Sequence, residues 1–332
     1  MRRRSLIVLA VLLLAGSMVW AGGTGEGEIV HITIGTASVG GTFYPIGIAA
    51  ATIFNKNIPN VKAVAIATAG SAQDVQMLGS QEIEVAVIDS MECYWGMYAI
   101  DPYKQKMPFL RGLSAGMYTE GMQVIARKDS SIKTFWDLKG HSIAVGSPGS
   151  GGQSDARDLL RAHDMTFDDV KPVYLDAEEA GDLLKDGQID AAILGLSEGS
   201  AAIAELMLTG KFQILGVDDK AYQNYRSFNQ QMIRFPIHAN VYPNQNYEIQ
   251  SVALPPRIFA VRQEMSDDVA YKLTKALYDN IGELQAVAKV MEQMNLERAK
   301  TDVPLVPYHS GTLKFFKEKG ITPPAPMAGP SN

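Results

Sequence analysis

The chain has 332 residues, 46% of them hydrophobic and 20% charged, which is the balance of a folded protein with a substantial core and not of a disordered one. Its length points to two lobes, and 30 Lys+Arg against 36 Asp+Glu, a net charge of -6, argues against the basic footprint of a nucleic-acid binder. The single cysteine, Cys93, excludes an internal disulfide and a cysteine-based zinc site, and is expected to pack as a small hydrophobe.

Arg2, Arg3 and Arg4 precede the apolar run Leu6 to Ala15, and small residues follow, with Val19 and Ala21 at the positions of a cleavage site. This is the layout of a secretory signal, residues 1–21, and the run is shorter than the roughly 20 residues that cross a bilayer. No cysteine follows it to carry a lipid, so the expected product is an unanchored protein in the periplasm, beginning with a flexible Gly-rich leader over 22–29.

His31 to Thr36 alternates as a strand, Pro45 to Phe54 has helical spacing, and Val61 to Thr68 is a second strand. Ser71 to Leu78 reads as a helix and Glu84 to Ile88 as a buried strand, which together make an α/β unit with a parallel sheet. The same order recurs as strand Ser142 to Gly146, helix Ser154 to His163, strand Val170 to Leu175, helix Ala177 to Lys185 and strand Ile189 to Leu194.

The repeat extends to the loops. Gly35, Thr36, Gly40 and Gly41 fall opposite Gly146, Ser147, Gly151 and Gly152, so two Gly-rich strand ends are predicted to face one cleft, as ligand sites of open α/β sheets do. Lobe 1 is expected over 30–124 and 252–321 and lobe 2 over 125–251, with hinges near Val124 to Arg127 and Ser251 to Arg257. Long helices are predicted between Asp267 and Met294, and the proline-rich end, 322–332, is expected to be a ragged tail.

The first Gly-rich loop lacks the lysine of a phosphate loop, because Gly41 stands in its place, and Gly151 and Gly152 repeat the omission. What remains is backbone N–H groups at helix starts with the hydroxyls of Ser38, Thr42, Ser147 and Ser150, a combination suited to a carboxylate or other small anion. A second loop, Ala69 to Asp74, adds Ser71 and a carboxylate at Asp74, whose alternative role is to start the helix. Asp89 ends the third strand within reach of the same cleft. No arginine stands out as a clamp. The histidines are scattered, which gives a metal site no support, and no cofactor is expected. Gly195-Leu196-Ser197-Glu198-Gly199 matches the nucleophile elbow of serine hydrolases, but nothing local supplies its histidine, and an enzyme is not the expected reading.

The run Gly35-Thr36 through Gly40-Gly41-Thr42-Phe43-Tyr44-Pro45-Ile46-Gly47 resembles the N-terminal signature of the TAXI solute-binding proteins, which serve tripartite ATP-independent periplasmic (TRAP) transporters. Thr68 to Leu78, Asp137-Leu138-Lys139-Gly140, Gly146 to Gly152, Asp186 to Ala191 and Pro307 to Thr312 continue the resemblance over essentially all of residues 30 to 321. It implies a type II periplasmic-binding-protein fold, two α/β lobes closing on a ligand like a Venus flytrap, acting as a monomer. It also implies capture of a small organic acid, an amino acid such as glutamate or a related dicarboxylate, for a TRAP-type membrane permease. Carried over by position, the ligand shell is Gly41, Thr42, Tyr44, Ser71, Asp74, Ser147, Ser150, Gly151 and Gly152, with Asp89, Gln153 and Ser197 beside it. The chain departs from the family in having Asp74 where Asn is common and Gln153 where Thr is common, and an acid at 74 would repel an acidic ligand unless an ammonium group met it. Receptors for ABC importers share this fold, as do periplasmic sensor modules.

Overall fold

The computed structural model describes residues 29–330 apart from 40, 230, 231 and 254; the expected signal segment and nearly all of the leader lie outside the described residues. The chain runs β1 (Val30–Gly35), α1 (Phe43–Asn57), β2 (Val61–Ile66), α2 (Ser71–Ser80), β3 (Val85–Asp89), α3 (Ser90–Tyr98) and β4 (Leu110–Gly112). It crosses into β5 (Gly121–Arg127), β6 (Ser142–Ala144), α4 (Gly151–Ala162), β7 (Lys171–Val173), α5 (Ala177–Lys185), β8 (Ala191–Leu196), α6 (Ala201–Leu208), β9 (Phe212–Leu215), α7 (Asp219–Phe228), β10 (Ile233–Ile237) and β11 (Ile249–Ala253). It then returns through β12 (Arg257–Arg262), α8 (Asp267–Asp279), α9 (Ile281–Gln285), α10 (Arg298–Thr301) and α11 (Ser310–Glu318).

Two sheets result, one per lobe. The first has the order β2-β1-β3-β12-β4; the second has β10-β11-β5-β8-β6-β7, with β9 also on β5. Read from one edge, β2-β1-β3-β12 and β7-β6-β8-β5 are the same arrangement: three parallel strands and a fourth that runs antiparallel. The duplication anticipated from the loops is therefore a duplication of topology. In each lobe helices cover both faces of the sheet, which is why β3 is buried along its whole length and reads as an unbroken apolar run.

The first crossing falls elsewhere than expected, whereas the second lies within the predicted Ser251 to Arg257. All of β5 belongs to the second sheet, so Val124 to Arg127 is no hinge; the first crossing is the stretch between β4 and β5, and the second lies between β11 and β12. The two crossings are bonded to each other, with Arg257 N–H donating to the Tyr118 carbonyl at 3.0 Å and Met117 N–H to the Arg257 carbonyl at 2.7 Å.

Two other expectations are corrected. Of the long helices predicted between Asp267 and Met294 only α8 is long; it stops at Asn280, whose side chain donates to the Ala276 carbonyl at 2.9 Å, and the short α9 and a 3-10 turn, Lys289–Gln293, follow. The tail is not ragged over its described residues: Met327 N–H donates to Pro304 at 2.8 Å, and the Tyr94 hydroxyl donates to the Ala328 carbonyl at 2.9 Å. Four prolines between 322 and 332 restrict the extended backbone, which lowers the entropy lost on docking. Cys93 is buried and burial pushes its thiol up, so it packs as an inert hydrophobe.

Candidate functional site

Between the sheets lies a cavity of about 230 Å³, below the size range of drug-like ligand pockets and suited to a small metabolite. Its walls are the C-terminal strand ends of both lobes and the helix starts that follow them: Gly41–Phe43 before α1, Ala69–Ser71 before α2, Ser147 to Gly152 before α4 and Leu175–Ala177 before α5. Four helix dipoles thus present their positive ends to one small space.

The caps on those helices differ. Ser150 accepts from Gln153 N–H at the start of α4, and Asp176 accepts from Glu178 and Glu179 N–H at the start of α5. At α1 and α2 the cap residues are Thr42 and Gly70, and neither makes a side-chain cap bond among the described residues. Helix N–H groups of lobe 1 therefore keep hydrogen-bonding capacity for an acceptor in the cavity.

The glycines of the repeated loops have specific causes. Gly146 adopts φ +85°, and a Cβ there would lie 2.5 Å from the backbone nitrogen of Gln153. At Gly35 a Cβ would lie 2.6 Å from Asp74 Oδ1, so the first loop gives up a side chain to make room for a buried carboxyl.

The floor is ionic. Arg257, at the start of β12 and 5% exposed, lies 3.3 Å from Asp89 Oδ2 and 3.4 Å from Glu120 Oε2. Asp155, on α4 and also buried, lines the same cavity. Two carboxylates meet one guanidinium, and a third shares the cavity. Burial raises Asp89, Glu120 and Asp155 above the usual carboxylate range and Arg257 only partly offsets this; burial opposes the charge on Arg257 itself, but the three acids more than compensate and hold its pKa up. Among the described residues the Tyr118 hydroxyl, buried in the cavity wall, has no hydrogen-bond partner, and neither has Arg257 Nε.

Of the residues singled out from the sequence, Gly41, Thr42, Ser71, Asp89, Ser147, Ser150, Gly151 and Gly152 line the cavity together. Tyr44, Asp74, Gln153 and Ser197 are not part of its lining. Tyr44 is half-buried on the first turn of α1. Gln153 turns back, accepting from Gly149 N–H at 2.9 Å, and so fixes the loop that carries Ser147 and Ser150; Gln73 does the same for Ala69 at 2.6 Å in lobe 1. Asp74 falls on the inward stripe of α2 with Val75 and Leu78, and burial pushes its carboxyl up to about 8 with the Thr68 hydroxyl acting weakly the other way. It is a neutral acid behind the cleft. Ser197 Oγ donates to Glu120 Oε1 at 3.3 Å, while the ring of His238 is held by Glu198 at 3.0 Å, so no Ser–His pair forms there among the described residues.

Sequence reasoning missed Tyr118, Glu120, Asp155 and Arg257. Only Pro255-Pro256 before Arg257, a break between strands, hinted that a charged residue sits at a crossing. Among the described residues no group of three or more His, Cys, Asp or Glu is placed to hold a metal ion.

A protein from Bordetella bronchiseptica RB50 superposes with a TM-score of 0.53 at 15% identity, covering 88% of this chain and 98% of that one. The periplasmic aliphatic sulphonate binding protein SsuA from Escherichia coli gives 0.44 at 16% identity, covering 88% and 94%. The substrate binding protein of an amino acid ABC transporter gives 0.43 at 18%, covering 77% and 96%. The two sheets with the cleft between them make a two-lobed α/β fold. A family model matches residues 34–320, nearly the whole described chain, and the protein belongs to the NMT1-like family.

Proposed function

We propose that the protein is an extracytoplasmic solute-binding protein that captures a small organic acid, an amino acid or a related dicarboxylate, by lobe closure and delivers it to a membrane permease without chemical change. The observation that carries this reading is the interlobe cavity walled by helix starts from both lobes, two of them without a side-chain cap. Such a site holds an anion through N–H groups and hydroxyls and needs no free cationic side chain. Closure is favoured only when a ligand supplies contacts to both walls.

The motif resemblance supports a TRAP-type permease as the partner. A receptor for an ABC importer is the second reading, favoured by the functions named for the similar folds. A thermal-shift screen of the mature protein against amino and dicarboxylic acids tests the binding function. A specific ligand at 100 times its Kd adds about 2.7 kcal/mol, and a panel without any shift would remove the reading. Uptake reconstituted in vesicles with the permease encoded beside the gene separates the partners: dependence on a sodium gradient supports TRAP, and dependence on ATP supports ABC.

A further inference from the structure

The proposed function leaves the sign of charge at the cavity floor unused. Asp89 and Glu120 face Arg257, and each has a second partner, Met91 N–H on Asp89 at 2.9 Å and the Ser197 hydroxyl on Glu120 at 3.3 Å. Asp155 is different. It is 4% exposed and lines the cavity, and among the described residues it receives no hydrogen bond. It comes from the second lobe, on α4, and lines the cavity that Asp89, Glu120 and Arg257 also line. In the wall of the same cavity, the Tyr118 hydroxyl is fully buried and, among the described residues, has no hydrogen-bond partner. A buried carboxylate and a buried hydroxyl, each with open acceptor positions, are costly unless a donor meets them.

We propose that Asp155 is the specificity-determining residue of the cleft and requires a cationic nitrogen on the ligand, held by Asp155 and Tyr118, while the ligand's acidic end lies against the starts of α1 and α2. This rests on the reading of the cavity as a solute site. It narrows the ligand to small acids that carry an ammonium or guanidinium group and excludes dicarboxylates without nitrogen. The open acceptor positions of Asp155 call for an N–H donor, and a ligand whose only polar groups are carboxylates brings none. Asp155 gains the ammonium only when the second lobe closes, so the same pairing selects the ligand and signals closure.

The test is isothermal titration of the full mature protein with matched pairs in which one member has lost its only cationic nitrogen: glutamate and glutarate, leucine and 4-methylpentanoate, aspartate and succinate. The expected result is that a bound amino acid is preferred at least 100-fold over its deaminated partner, and that Asp155→Asn lowers that ratio below 10 whereas Asp155→Glu restores part of it. A deaminated acid bound within threefold of its parent, or a ratio unchanged in Asp155→Asn, overturns the requirement and leaves the solute-binding function standing. Binding of neither member of any pair overturns both. If Asp155→Asn fails to fold, the wild-type ratio decides alone.

Discussion

The backbone N–H of Gln73, in the first turn of α2, donates to the carbonyl of Gly149, in the loop before α4, at 3.4 Å and across the cleft. Nearby, a Cβ on Gly70 would lie 3.4 Å from Ser150 Cα, and one on Gly151 would lie 3.3 Å from Ser71 Oγ. Arg157 of α4 adds a contact over the Trp95 ring of α3, 5.3 Å from its centroid. The two lobes touch at the rim of the cleft.

The rim hydroxyls separate into two kinds. Thr42 lines the cavity without capping α1, so Thr42→Ala is expected to weaken ligand binding about tenfold, the value of one hydrogen bond to a charged group, with little change in melting temperature. Ser150 caps α4, so Ser150→Ala is expected to weaken binding and also to cost about 1 kcal/mol of stability. Calorimetry and melting curves on both variants check this; unchanged affinity in both would remove the hydroxyls from the site.

Asp74 makes a pH-dependent contribution. Its folded pKa of about 8 lies above the unfolded value, so the folded state holds more protons between about pH 4 and 8 and stability falls as pH rises through that window. Asp74→Asn is expected to remove up to about 1.4 kcal/mol per pH unit of that slope and to be more stable than the parent at pH 8. Glu92, pushed up to about 7 first by burial, keeps a residual slope of the same sign. Melting temperatures of both proteins across pH 4 to 9 decide it: parallel curves would place Asp74 in contact with solvent or a counter-charge.

Arg257→Met leaves Asp89, Glu120 and Asp155 without their buried cation. A loss of about 3–5 kcal/mol is expected at pH 7, on the order of 10 °C in melting temperature. The deficit shrinks toward pH 4, because the raised carboxyls then hold protons in the folded state. A deficit independent of pH would mean that the loss is one of packing alone.

Truncation after Thr322 removes the bonds at Met327 and Ala328 and uncovers the ring of Tyr98, against which Gly329 packs so closely that a Cβ would lie 2.4 Å away. A loss of about 1–2 kcal/mol is expected, read as a melting temperature lower by roughly 2–8 °C. An unchanged melting temperature would make the tail a passive appendage.

What was legible in the chain was local. Gly146 announces a strand end because its positive φ and the nearby Gln153 nitrogen admit no side chain, and the hydroxyls around it belong to a turn that any reader of spacing can place. The alternating apolar runs of β1 and β3 and the stripe of α2 gave the elements for the same reason. Of the two roles open to Asp74 the structure has the helix start, in the first turn of α2 and outside the cavity lining; from sequence a helix start looks the same whether its acid faces the cleft or the core, and only the space beneath Gly35 distinguishes them. Arg257, Glu120, Asp155 and Tyr118 were invisible because they meet only after the chain has crossed between sheets and back. Pro255-Pro256 before Arg257 mark the crossing, but nothing near the other three in sequence records that meeting.

The antiparallel fourth strand of each lobe is the one that the chain enters directly after crossing, β5 in one lobe and β12 in the other. Tyr118, Glu120 and Arg257 therefore sit on the axle of the molecule, while Thr42, Ser71 and Ser150 sit at the ends of its lever arms. Rotation about an axle displaces the arms far more than the centre. A solute can thus meet nearly final contacts with the axle in the open form, and the arms act as a latch whose strength sets the dwell time. Substitutions on the axle should alter how fast a solute is first caught, and substitutions on the arms how long it is kept.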